Sequence, residues 1–245
     1  MDEYTGGIVM TILLIVAGIL LSSVPVVLAY IRFRNLKDEA AYKDLMTKAM
    51  IVGLLSCPAG FLLSGVFAII ERVFHINEMG LLGAAYHKII LLALAEEIVK
   101  TFLFIRFTKK HSYPYSWLDL IAIGTTVAIG FEIGESMVML GSEPIVMLLR
   151  GISAMHMCFG FVIAWGYGKY QKTGKILPFV LCFLLSWLWH GLYDFGLSEE
   201  LLALNDNFAA LSISLAVIAF AYMIYIFIFI PKAAKKEVYT TPIIR

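Results

Sequence analysis

Charge is what this sequence is short of. Asp, Glu, Lys and Arg make up only 15% of its 245 residues, while 61% are hydrophobic and the mean hydropathy is +0.88. So few charges cannot cover the surface of a compact soluble domain, and the composition is that of an integral membrane protein. The net charge of +1 is no signal for nucleic acid, and no nucleic-acid partner is expected. In a membrane protein the informative quantity is which loops hold the basic residues. Cysteine is scarce too: Cys57, Cys158 and Cys182 all lie in apolar runs without metal-ligand spacing, so they read as small core residues and carry no redox information. The N-terminal Met1-Asp2-Glu3 lacks the basic stretch of a secretory signal, so the first apolar run reads as a retained helix. Internal repeats, low-complexity tracts and a soluble domain are absent as well. The expectation is one integral-membrane domain over residues 1–245, with a motif-bearing core at about 81–197.

What is present is a series of seven apolar runs, each long enough to cross about 30 Å of hydrocarbon at 1.5 Å per residue. They are Ile8 to Ile31, Ala49 to Ile70, Leu81 to Phe107, Trp117 to Leu140, Ile145 to Tyr167, Ile176 to Leu197 and Phe208 to Ile230. The segments after the first, third, fifth and seventh runs hold most of the basic residues, among them Arg32, Arg34, Lys109, Lys110, Lys172, Lys175, Lys235 and Lys236. The opposite segments hold Asp2, Glu3, Glu71, Glu78, Glu143, Glu199, Glu200 and Asp206, with hardly a basic residue. The positive-inside rule then predicts an all-α, multi-pass protein of the cell membrane: seven transmembrane helices, N-terminus outside and C-terminus cytoplasmic. The first, second and seventh helices have no interior charge and read as scaffold. The second carries Ser56, Gly60, Ser64 and Ala68 in steps of four, a stripe that admits a close neighbour.

The exceptions to the scarcity of charge fall within the third to sixth runs. An ionised side chain at the centre of a spanning helix costs roughly 2.5–3.5 kcal/mol on insertion scales, so buried charges mark function unless partners explain them. The third run contains Ala95-Glu96-Glu97-Ile98-Val99-Lys100, the fourth Phe131-Glu132-Ile133-Gly134-Glu135, the fifth His156, and the sixth His190-Gly191-Leu192-Tyr193-Asp194. Helical spacing puts Lys100 within reach of either Glu96 or Glu97. Asp194 is one turn from His190 and placed to orient its imidazole. Glu132 reads as a site carboxylate or as the partner of another buried group. Lys88 and Arg150 lie near the outer ends of their runs, where they can snorkel, and Arg150 has Glu135 or Glu143 as candidate partners. Counted from the run midpoints, the polar groups form a ladder from mid-membrane toward the outer face, so water is expected to enter from outside.

Glutamate and histidine held in a wet intramembrane cavity can add water to a peptide carbonyl, as general base and transition-state stabiliser. Two histidines and a carboxylate also form a usual catalytic zinc set, with another glutamate as base. The groups available for this are Glu96, Glu97, Glu132, Glu135, His156, His190 and Asp194, with Lys100 beside the glutamate pair. A proton-coupled transporter or channel using the cluster as a relay is the non-hydrolytic alternative, although no paired halves or matching broken helices of the transporter kind are seen.

In order, Glu96-Glu97-x-x-Lys100, Phe131-x-x-x-Glu135, Arg150 followed by His156-x-x-x-Gly160, and His190-Gly191-Leu192-Tyr193-Asp194 resemble the motifs of the PrsW family of intramembrane proteases. The resemblance spans about Leu91 to Phe195. Ser136 departs from it, standing where asparagine is expected. The related CAAX-type prenyl-protein and bacteriocin-immunity proteases share a Glu-Glu motif but carry histidine where the second motif here ends in Glu135. The resemblance implies a protease making the first cut in a membrane-anchored anti-sigma factor or similar single-pass protein, near the outer face of the bilayer. By motif position it makes Glu97 the general base and Glu96 its support, held by Lys100; His156 and His190 bind zinc or polarise the carbonyl and water, Glu135 is a further ligand or acid, and Glu132, Arg150 and Asp194 support the site, so that His156, His190 and Glu135 are the ligands implied for a zinc ion.

Overall fold

The computed structural model describes residues 24–111, 113, 115–138 and 154–236, with Leu13 and Val16. Among these the chain is all-helical and no strand occurs. Lipid offers backbone amides no hydrogen-bond partner, so long apolar runs are driven to satisfy themselves internally as helices. Helix α1 occupies residues 24–34 of the described chain, followed by α2 (Ala40–Val73) and a 3-10 turn (Ile76–Glu78). One continuous helical column then runs through α3 (Leu81–Ala85), a π-helical stretch (Tyr86–Leu94) and α4 (Ala95–Lys110). Next come α5 (Trp117–Val138), α6 (Met155–Thr173), α7 (Leu177–Gly196), the single turn α8 (Glu199–Leu202) and, after a 3-10 turn, α9 (Ala209–Lys236). Four of these, α2, α5, α7 and α9, are long and apolar enough to cross a membrane.

The sixth apolar run coincides with α7 within a residue, and the seventh starts within a residue of α9, which continues six residues past it to Lys236. The second begins earlier than expected, because Ala40 to Lys48 extends the same helix beyond the apolar run. The third is not a uniform α-helix: nine residues wind as π-helix immediately before the Glu-Glu pair. Residues 139–153, with Glu143 and Arg150, lie outside the described part of the chain, as does most of the first run.

Helix α5 is the centre of the bundle, packed between α2 and α6. Glycines make both contacts. A Cβ on Gly53 of α2 would fall on the carbonyl oxygen of Val127, and one on Gly130 of α5 would fall on that of Met50; only bare backbone permits this approach. On the other side Gly160 lies against Ala128 and the carbonyl of Gly124, and Ala164 lies against Gly124. Gly130 and Gly134 on α5, and Gly160 and Ala164 on α6, are small residues four apart, and each pair faces a neighbouring helix. At one end of the bundle, buried Asp119 pairs with Lys37 at 2.7 Å and accepts from the Ser116 N–H at 2.8 Å, which ties the start of α5 to the segment after α1.

Candidate active site

Four helices bring the polar groups together, and each is positioned by a local cause. Within the π-helical stretch, the Ile89 carbonyl accepts from the indole Nε1 of Trp187 on α7 at 2.7 Å. Gly191, next to His190, lies so close to Ile89 that a Cβ there would meet its Cα at 2.9 Å. This contact locks the helix bearing His190 to the column bearing Glu96 and Glu97. On α6, Ala154 takes a left-handed conformation (φ 41°, ψ 49°) and starts the helix two residues before His156. The N–H of His156 is one of the orphan donors of that helix start, and Glu132 Oε2 on α5 accepts it at 3.0 Å. Glu132 is thus the buried partner of a backbone group.

The four elements meet around His156 and His190, whose rings stand edge to face with centroids 4.9 Å apart. Glu96, Glu97, Lys100, Glu132, Glu135, His156 and His190 are all buried. Lys100 Nζ donates to Glu97 Oε1 at 2.5 Å and to His156 Nδ1 at 2.7 Å. An ammonium can only donate, so His156 Nδ1 accepts and its Nε2–H donates to Glu135 Oε2 at 2.7 Å. His190 Nδ1 donates to the same Glu97 Oε1 at 3.0 Å. Its Nε2 points at Glu96 Oε2 (3.8 Å) and Asp194 Oδ2 (3.5 Å). Phe131 lies under the Lys100 ammonium at 4.4 Å, and Phe159 stacks on His190 at 5.2 Å, so aromatic faces close the apolar side.

A family model described as "PrsW family intramembrane metalloprotease" matches residues 42–230 of this cluster-bearing chain. The chain belongs to that family. It is accordingly an intramembrane protease and a multi-pass membrane protein. No curated protein and no solved structure matches the chain.

A PrsW-family metalloprotease implies a metal, and the residues fit one. Ligand atoms of Glu96, His156 and His190 lie within 4.8 Å of one another. Glu96 Oε2 is buried without a hydrogen-bond partner, as a carboxylate oxygen meant for a cation would be. One glutamate with two histidines is a usual catalytic zinc set.

Two expected contacts are redrawn. Lys100 sits on Glu97 and not on Glu96, because only there does it also reach His156. The grouped ligand atoms are those of Glu96, His156 and His190, and Glu135, the carboxylate expected among the ligands, lies 2.7 Å from His156 Nε2. Asp194 is beside His190 as predicted, but Nδ1 of that ring is held by Glu97. Arg150 lies outside the described residues. Sequence reasoning missed the π-helix, for which nothing in the apolar run Tyr86 to Leu94 is a signal. It also missed Trp187, whose indole three residues before His190 was a readable hint of a buried acceptor.

Proposed function

We propose that this protease hydrolyses a peptide bond of a single-pass membrane protein near the outer face of the bilayer, making the first cut in an anti-sigma factor or similar anchored protein. The observation that carries the reading is the buried convergence of Glu96, His156 and His190, with both histidines held from behind at Nδ1. Resemblance to the family and the outward ladder of polar residues support the substrate class. Loop charge supports seven spans with the N-terminus outside.

In this reading Glu96, His156 and His190 hold the metal ion. When bound, the ion supplies Lewis-acid polarisation of the scissile carbonyl and of water. Glu97, joined through Oε1 to Lys100 and His190, orients the His190 ring so that Nε2 faces the site. Lys100 holds the His156 ring through Nδ1, and metal binding at Nε2 would displace the proton that this nitrogen gives to Glu135. Glu135 Oε2 takes the proton of the attacking water and returns it to the amide nitrogen as the C–N bond breaks. The Phe131 and Phe159 rings exclude bulk water from the apolar side.

Metal content measured by elemental mass spectrometry, beside cleavage of a single-pass probe in proteoliposomes, tests the reading. About one zinc per chain is expected, lost together with cleavage in the double variant His156→Ala/His190→Ala. Cleavage that survives thorough chelation in a metal-free preparation would overturn the metal assignment.

A further inference from the structure

One turn beyond Glu97 on α4 lies Thr101, and around these two residues the interior does not close. A cavity of about 10 Å³, measured at the centre of a water-sized sphere, is lined by Glu97, Lys100 and Thr101, with Gly124 of α5 and Gly160 of α6 among its other walls. A single buried water needs about 10–15 Å³ on that measure, with two to four polar partners.

The polar partners are there, and they lack any other use. Glu97 Oε2 and Thr101 Oγ1 are both buried without a hydrogen-bond partner, on residues that are 0% and 7% exposed. Buried threonines in helices ordinarily return their hydroxyl to a backbone carbonyl one turn back. Three others here do so: Thr125 donates to Ile121 O, Thr126 to Ala122 O and Thr108 to Ile105 O, at 2.7–3.0 Å. Thr101 does not. Lys100 has three ammonium protons and spends two, on Glu97 Oε1 and His156 Nδ1. A donor and an acceptor left idle beside one another in a dry interior are rare in native proteins, and an ordered water is the usual explanation.

We propose that one ordered water fills this cavity, donating to Glu97 Oε2 and accepting from Thr101 Oγ1 and the third proton of Lys100, and that Thr101 is thereby a positioning residue for the site. The water holds the second oxygen of Glu97 and so fixes the rotation of the carboxylate whose first oxygen sets the His190 ring. Thr101 touches neither substrate nor metal ligand; it acts through the water and Glu97. The effect on the site rests on the role of Glu97 proposed above, whereas the water itself rests on the cavity and the two idle oxygens alone.

A structure of the full chain at a resolution that shows waters tests the first part. Density between Glu97 and Thr101 is expected in the wild type and none in Thr101→Val; an empty cavity in the wild type overturns the proposal, whatever any variant does. Zinc alone, titrated against a chromogenic chelator, tests the second part without relying on activity. Thr101→Val should bind zinc about tenfold more weakly, as loss of an outer-shell partner does. Thr101→Ser, which keeps the hydroxyl, should restore the affinity, and Thr126→Val, which loses only a bond to its own helix, should leave it unchanged. Wild-type affinity in Thr101→Val, or equal weakening in Thr126→Val, overturns the positioning role. A wild-type chain that binds no zinc overturns the metal reading, and the density comparison then decides for or against the water.

Discussion

Helices α5 and α9 are both apolar enough to span a bilayer, yet they occupy opposite environments. Helix α9 is the more apolar of the two, yet most of α5 is buried and most of α9 is not. The more apolar helix is on the outside. In water this order would be inverted; in lipid, apolar side chains gain nothing by leaving the surroundings, and what drives a helix inward is close backbone packing and the need to hide polar groups. Helix α5 has both, in Gly124, Gly130 and Gly134 and in Asp119, Glu132 and Glu135. Helix α9 contributes Ala216, Ala219 and Ile226 to the packed face and leaves Val217 and Ile218 exposed.

The comparison predicts where substitutions hurt, and the largest effects belong to the charged interior that α5 helps to enclose. Glu96→Gln should lower cleavage of a single-pass probe by about a thousandfold or more, on the order of 4 kcal/mol in activation free energy, because the site loses a proposed metal ligand. The variant should still insert and fold, which gel filtration in detergent would show; a rate near wild type removes Glu96 from the site. Lys100→Met leaves Glu97 buried without its cation and is expected to destabilise by about 3–5 kcal/mol. Unfolding midpoints in mild detergent measure this, and the double change Lys100→Met/Glu97→Gln should recover part of the loss.

A smaller effect separates the two helices directly. Gly130→Val drives a side chain into the Met50 carbonyl of α2 and should cost about 1–3 kcal/mol by overpacking, whereas Val217→Leu on the exposed face of α9 should stay within about 0.5 kcal/mol. Equal costs for the two would mean that α5 is not the packed centre. The smallest expected change is Lys37→Gln. Its ammonium is 35% exposed and its partner Asp119 keeps the Ser116 N–H, so a loss of about 1 kcal/mol is expected, declining in high salt. A loss of several kcal/mol, read by the same unfolding assay, would show the pair to be far drier than its exposure indicates.

Much of this was legible before any coordinates. Low charge and seven apolar runs are enough for an all-helical membrane protein, because the bilayer leaves the backbone few other options. The small-residue stripe of the second run anticipated a packed face, and Ser56, Gly60 and Ser64 are buried there. Within one helix spacing placed neighbours correctly: Asp194 lies 3.5 Å from His190 because i and i+4 share a face. It failed between helices. Lys100 is at i+4 from Glu96 and i+3 from Glu97, and both spacings permit an ion pair, so nothing local chooses between them.

The sequence by itself determined that carboxylates, histidines and one lysine would lie inside the apolar runs of four successive helices, since their place in each run follows from counting residues along a helix of known rise. Only the tertiary structure decided who touches whom. Lys100 chose Glu97 because His156 Nδ1, from a helix some fifty residues away in the chain, lies on that side. Glu132 became the cap of α6 because α6 begins beside it, and Glu96 was left facing the histidines. Those choices depend on the rotation of each helix about its axis and on the approach the glycines allow, quantities set by the packing of the whole bundle and by no single stretch of chain.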